Sequence, residues 1–202
     1  MSTVGINQVA NGQLNVNDRA DRTSAQVVTD GHGRYQEAVL QNNVFLVASQ
    51  SVATTTTGLA TTYTGLCLSN PVGSGKNICL LTASLMQSVI QATQIEAYAI
   101  ATGFNAATNV THTAAVTPRS ALVGFTGTPV GLADSSATLP TAPFYSLFLT
   151  QTATATAQPS TTVIDLAGSI VLTPGAYALF VTPAQASVAG LWFSFIWEEV
   201  NI

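Results

Sequence analysis

From Val44 onward the chain alternates β-branched and aromatic residues with small polar ones, in runs that end at Gly, Pro or Asn. Alternation of this kind marks strands with one buried face, and helical periodicity is nearly absent. The pattern predicts strands near 44–50, 61–69, 77–90, 95–103, 120–126, 144–151, 161–172, 175–182 and 190–200. Asn70-Pro71-Val72-Gly73-Ser74-Gly75 and Thr173-Pro174-Gly175 place proline and glycine where turns need a fixed or positive φ. The expected fold is all-β, a jelly-roll-like antiparallel β-sandwich of about eight or nine strands.

Residues 1–36 break the pattern. They are rich in Asn, Gln, Gly and Asp, with little apolar periodicity, and they hold Asp18, Arg19, Asp21, Arg22, Asp30 and Arg34. Such a segment cannot build a core of its own and reads as an extended polar N-terminal arm whose work is docking. The division expected is an arm over 1–36 and a sandwich body over 37–202.

Composition sharpens this picture. Charged residues are 7% of the 202-residue chain and AVILMFWYC residues 47%. Thr, Ala, Ser, Asn and Gln stand where charges usually do. A lone subunit with so few charges has little protection against association, so copies or partners are expected to cover much of its surface. Five Lys and Arg and a net charge of -4 argue against nucleic acid. No apolar run is long enough to span a bilayer as a helix, and no export signal is visible, so no membrane partner is expected. Cys67 and Cys79 sit among apolar neighbours and read as buried free thiols.

The candidate chemistry is thin. Gly73-Ser74-Gly75-Lys76 resembles part of a phosphate loop, but Asn70 and Asn77 occupy the positions that need Gly and Ser or Thr, and a β-like run follows. The motif reads as a turn, with Lys76 a turn residue. Asp30-Gly31-His32-Gly33-Arg34-Tyr35 gathers functional side chains, yet the only other histidine is His112, so a turn joining arm to body is preferred over a metal or acid–base site. Asp30, His32, Arg34 and Tyr35 remain candidates for contacts with a partner. Glu198 and Glu199, adjacent in a strand, point to opposite faces and read as a solvated strand end. Asn109-Val110-Thr111 fits the glycosylation triplet, which carries no weight without an export signal. No catalytic, metal or cofactor constellation is complete, so no enzyme activity and no cofactor are expected.

The last strand puts Trp192, Ser194 and Ile196 on one face and Phe193, Phe195 and Trp197 on the other, both largely apolar. A strand buried on both sides belongs in the centre of a sandwich or at a subunit interface. Trp192, Phe193, Phe195 and Trp197 are therefore interface candidates as well as core candidates.

Three stretches resemble a family of bacteriophage virion proteins: Asp30-Gly31-His32-Gly33-Arg34-Tyr35-Gln36-Glu37-Ala38, Gly65-Leu66-Cys67-Leu68-Ser69-Asn70-Pro71-Val72-Gly73-Ser74-Gly75-Lys76-Asn77, and Leu172-Thr173-Pro174-Gly175-Ala176-Tyr177 with Trp197-Glu198-Glu199. The resemblance implies a capsid decoration or head-fibre subunit with a jelly-roll body, commonly trimeric, and an anchoring N-terminal segment. It supplies no catalytic residue. The expectation is a cement protein on the capsid surface, assembled in the host cytoplasm, a homotrimer that meets major capsid or other virion proteins through its arm. The alternative is a tail or head fibre component that binds host glycans on Tyr63, Tyr98 or Trp192. A third reading, a glycan-cleaving enzyme, needs Glu96 to converge with Asp134 or Asp165.

Overall fold

The computed structural model describes residues 19–20, 26–27, 33–51, 58–88, 96–152, 161–183 and 190–202. The chain divides into two compact units, Met1–Glu37 and Ala38–Ile202. In the first, strands β1 (Arg19–Ala20) and β2 (Gln26–Val27) pair antiparallel, and the Arg34 guanidinium lies 5.2 Å from the centre of the Tyr35 ring. A short helix, α1 (Gln36–Leu40), follows and buries no side chain. It ends at Asn42, whose φ of 57° is the left-handed stop that Asn tolerates.

The second unit is built of β3 (Val44–Ala48), β4 (Thr62–Ser69), β5 (Lys76–Gln87), β6 (Glu96–Phe104), β7 (Thr111–Val116), β8 (Arg119–Ser120), β9 (Leu132–Thr138), β10 (Phe144–Thr152), β11 (Thr161–Leu172), β12 (Ala176–Val181) and β13 (Leu191–Asn201). They form a six-stranded sheet, β10-β6-β12-β4-β9-β7, and a five-stranded sheet, β11-β5-β13-β3-β8, with every ladder antiparallel.

Set β7, β8 and β9 aside and the pairing nests from the ends inward. β3 pairs β13, β4 pairs β12, β5 pairs β11 and β6 pairs β10. That nesting, with members alternating between the sheets, is jelly-roll topology. The segment 105–143 is an insertion between the innermost pair. It adds β9 and β7 beyond β4 and β8 beyond β3.

The eight jelly-roll strands fall where the alternation of the sequence puts them, and the insertion does not. Of the apolar run 120–126, expected as a strand, only Ser120 lies in one (β8); the chain then turns, with Phe125 N donating to Leu122 O and Val123 94% exposed. The two longer strands of the insertion, Thr111-His112-Thr113-Ala114-Ala115-Val116 and Leu132-Ala133-Asp134-Ser135-Ser136-Ala137-Thr138, consist mostly of small residues and lack the bulky alternation that marks a strand in sequence.

The main core lies between the sheets. Phe180 of β12 stacks on Phe193 and Phe195 of β13, with ring centres 4.7 and 4.6 Å apart, and Trp197 sits 6.2 Å from Phe45. Phe193, Phe195 and Trp197 are thus core residues of the chain, each at most 2% exposed, which corrects their candidacy as interface residues. The parity of β13 decides this. The same parity turns Glu199 inward behind Trp197, so the expected solvated strand end holds for neither residue: Glu199 is buried and Glu198 half-buried.

A second apolar cluster covers the outer face of the six-stranded sheet. Tyr63, Cys67, Ala99, Ala101, Tyr145, Tyr177, Leu179 and Val181 come from the sheet, and Val110, Leu139 and Leu59 close over them. Tyr177 lies across Gly103, its cross-strand partner, where an added Cβ would come within 2.2 Å of the phenol oxygen. Only glycine leaves room for the ring to reach Thr141 O, to which the phenol donates at 2.6 Å.

Candidate functional site

Between Glu96 and Asp165 the sequence holds one further acid, Asp134, one histidine, His112, and one arginine, Arg119. The fold brings the first two together. Ala133 belongs to the core between the sheets, so Asp134 faces the opposite way, into the outer cluster and across from Cys67 of β4. There it is fully buried, and its Oδ2 is hydrogen-bonded with His112 Nδ1 of the neighbouring strand β7. Its Oδ1 is buried without a partner.

Burial pushes the Asp134 carboxyl above its ordinary value of 3.8, and the hydrogen bond and charge of His112 offset part of that rise. The imidazole is more open, with 32% of its side chain exposed. With Nδ1 held by the carboxylate, the remaining ring edge borders a cavity of about 180 Å³ that is also lined by Ser69, Asn109, Val110, Leu132 and Ala176. The arrangement can hold the imidazole in one orientation.

The second charged constellation is Lys76 with Glu199. Lys76 Nζ lies 3.2 Å from Glu199 Oε2. Glu199 Oε1 accepts hydrogen bonds from Val130 N at 2.8 Å, Gly131 N at 2.9 Å and Trp197 Nε1 at 3.4 Å. This buried carboxylate ties the insertion to the last strand. Lys76 therefore opens β5 as the counter-ion of a buried acid, which corrects its reading as an expendable turn residue. The neighbouring Pro71–Ser74 segment is a turn as expected, with Ser74 N donating to Pro71 O at 3.2 Å.

The other sequence candidates are scattered. Asp30 and His32 lie outside the described residues. Arg34 and Tyr35 precede α1 in a turn. Trp192 is half-buried on the outer face of the five-stranded sheet, its Nε1 donating to Ser88 Oγ at 3.1 Å. Tyr63 and Tyr98 are buried and offer no stacking platform for a glycan. Tyr63 instead directs its hydroxyl to Phe180 O at 2.6 Å, and burial raises its pKa well above 10.0. Asp165 is exposed on β11 in the five-stranded sheet and Asp134 is buried in the other, so these two do not line one groove, and the side chain of Glu96, the acid expected to converge with one of them, lies outside the described residues. Of the thiols, Cys67 is buried and Cys79 only half-buried, and burial raises both pKa values.

The His112–Asp134 pair was missed in sequence because its members are far apart in number and join through a strand pair that the pattern does not announce. The one available signal is the isolation of a single acid and a single histidine in a stretch nearly free of charge. Among the described residues no group of three or more His, Cys, Asp or Glu is placed to hold a metal ion, and no helix is long and apolar enough to cross a membrane. Comparison of the chain with known protein families, with characterised proteins and with solved structures finds no match.

Proposed function

We propose that the chain is a non-enzymatic structural subunit of a bacteriophage virion, a capsid decoration protein that bridges its neighbours and self-associates as a trimer. The observation that carries this reading is the outer face of the five-stranded sheet. Leu46, Met86, Val163, Val171, Trp192 and Ile196 share that face, and Val163 is 65% exposed. Asp165 and Glu198 are its acids. A broad face of this composition favours burial against a like surface, since apolar area removed from water contributes roughly 25 cal/mol per Å². The jelly-roll frame supports the reading by presenting the face on a rigid sheet, and the polar segment 1–36 supplies a chain able to reach a second partner.

Light scattering across a concentration series tests the assembly. The expected mass is three times 20.8 kDa, and a monomer at micromolar concentration would refute the trimer. Attachment to particles is tested by deleting residues 1–36. The shortened chain is expected to fold and to lose attachment, and full occupancy on particles without those residues would remove the docking role.

A further inference from the structure

We infer that the cavity beside His112 is a binding site for a neutral, hydroxylated six-membered ring, the size and chemistry of one pyranose unit. The inference does not rest on the virion reading.

The cavity holds about 180 Å³, and a cavity of about 150 Å³ is enough for a single six-membered ring. Its walls are fixed before any ligand arrives. Asn105 Oδ1 accepts hydrogen bonds from Ala107 N at 3.0 Å and Thr108 N at 2.9 Å, and Asn109 Oδ1 accepts from Val72 N at 2.7 Å. The segment 105–109 is thereby tied to the turn after β4. On the other side, Asn70 N donates to Ala176 O at 2.8 Å and Gly175 N to Asn70 O at 2.7 Å, which holds the end of β4 to the start of β12. A ligand entering this space has little of the chain to order, and little of its binding free energy is lost in doing so.

The lining then selects the class of ligand. Pro71, Val110 and Leu132 present hydrocarbon, which suits the carbon face of a ring. The polar atoms around them are mostly acceptors. Ser69 Oγ gives its proton to Leu132 O at 3.3 Å and keeps its lone pairs. A carboxylate only accepts, so the proton that Asp134 shares with His112 sits on Nδ1, and Nε2 is the ring nitrogen left for a ligand. Asn70 Oδ1 and Asp134 Oδ1 are buried without a partner, so the neighbourhood is short of donors. Such a site is complemented by a ligand that brings O–H groups. The buried carboxylate behind the imidazole disfavours phosphate, sulfate or carboxylate groups, and the described residues lining the cavity include no lysine or arginine to reverse that preference. Hydrocarbon on one side and hydroxyl partners on the other match a neutral sugar. The site lies on the sheet opposite Trp192, the aromatic residue that the sequence suggested for a glycan.

Saturation-transfer difference NMR on the full chain tests the site, with the methyl pyranosides of glucose, galactose and mannose as probes and cyclohexylammonium as a cationic ring of similar size. At least one glycoside is expected to bind with a Kd of about 1 mM, an ordinary affinity for a ligand of this size. Ser69→Ala is expected to weaken that binding about threefold and His112→Phe at least about tenfold, with Trp192→Ala unchanged. No signal from any glycoside well above that Kd overturns the inference. So does binding that Ser69→Ala or His112→Phe leaves unchanged, or cyclohexylammonium bound more tightly than every glycoside. If His112→Phe fails to fold because Asp134 loses its partner, Ser69→Ala, which removes a single oxygen, decides the question.

Discussion

On its inner face the six-stranded sheet meets Phe193, Phe195 and Trp197 across the sandwich, and the contacts there are almost wholly hydrocarbon. On its outer face Tyr63, Cys67, Asp134 and Tyr177 are just as dry, yet each brings a polar atom with it. The inner cluster is stabilised by area and fit, which any well-shaped apolar residue supplies in part. The outer cluster depends also on the partners its polar atoms have, because each further buried group left unsatisfied costs about 1–3 kcal/mol. Tyr63 shows the dependence. The β4 ladder shifts between Thr64 and Cys67, and the Tyr63 hydroxyl lies 3.1 Å from Leu66 O at that irregularity as well as 2.6 Å from Phe180 O.

The contrast is broken most directly by Phe180→Ala, which empties the space between Phe193 and Phe195. The expected loss is about 4 kcal/mol in denaturant unfolding, and a loss below about 1 kcal/mol would show that the two sheets are not held by this stack. Next comes Lys76→Met, which strips the counter-ion from buried Glu199 but leaves its three N–H donors in place. With Lys76 itself 30% exposed, the pair is worth less than a fully buried one, and a loss of about 1–2 kcal/mol is expected by the same measurement. A change under about 0.5 kcal/mol would return Lys76 to the status of a turn residue.

Tyr63→Phe sharpens the comparison by removing one oxygen and no hydrocarbon, and about 1 kcal/mol should be lost. The same substitution logic applied to Asp134 gives a pH signature. The folded pKa of Asp134 lies above 3.8, so its contribution to stability is fully present below that value and is lost as pH rises through the folded pKa. Asp134→Asn should therefore gain on the parent as pH rises from about 3 to 6 in thermal unfolding, and a shift in the other direction would mean that His112 more than offsets burial. Smallest for the subunit is Trp192→Ala, half-buried on the outer face of the other sheet. Its cost to folding is expected to stay near 1 kcal/mol, while the proposed trimer is expected to dissociate at higher concentration in light scattering.

The eight jelly-roll strands were legible because each carries bulky residues at alternating positions between turn residues, and alternation is a local property of the chain. Strands β7 and β9 were not, since Thr, Ala and Ser fill a strand as readily as a loop and only their neighbours in the sheet decide. The run Ala121-Leu122-Val123-Gly124-Phe125 erred the other way. Its apolar side chains suggested a strand, yet it turns at the surface with Val123 and Phe125 exposed.

The candidate site was less legible than the fold. The sequence placed Phe193, Phe195 and Trp197 on one face of the last strand and left open whether that face met a core or another subunit. Alternation determines which residues share a face, but the direction each face points is a property of the whole sandwich. Tertiary structure therefore decided that Glu199 turns inward to Lys76 and the insertion, and that Asp134 meets His112 across β9 and β7. Burial, unlike periodicity, depends on residues distant in sequence, and the chemistry of both carboxylates follows from burial.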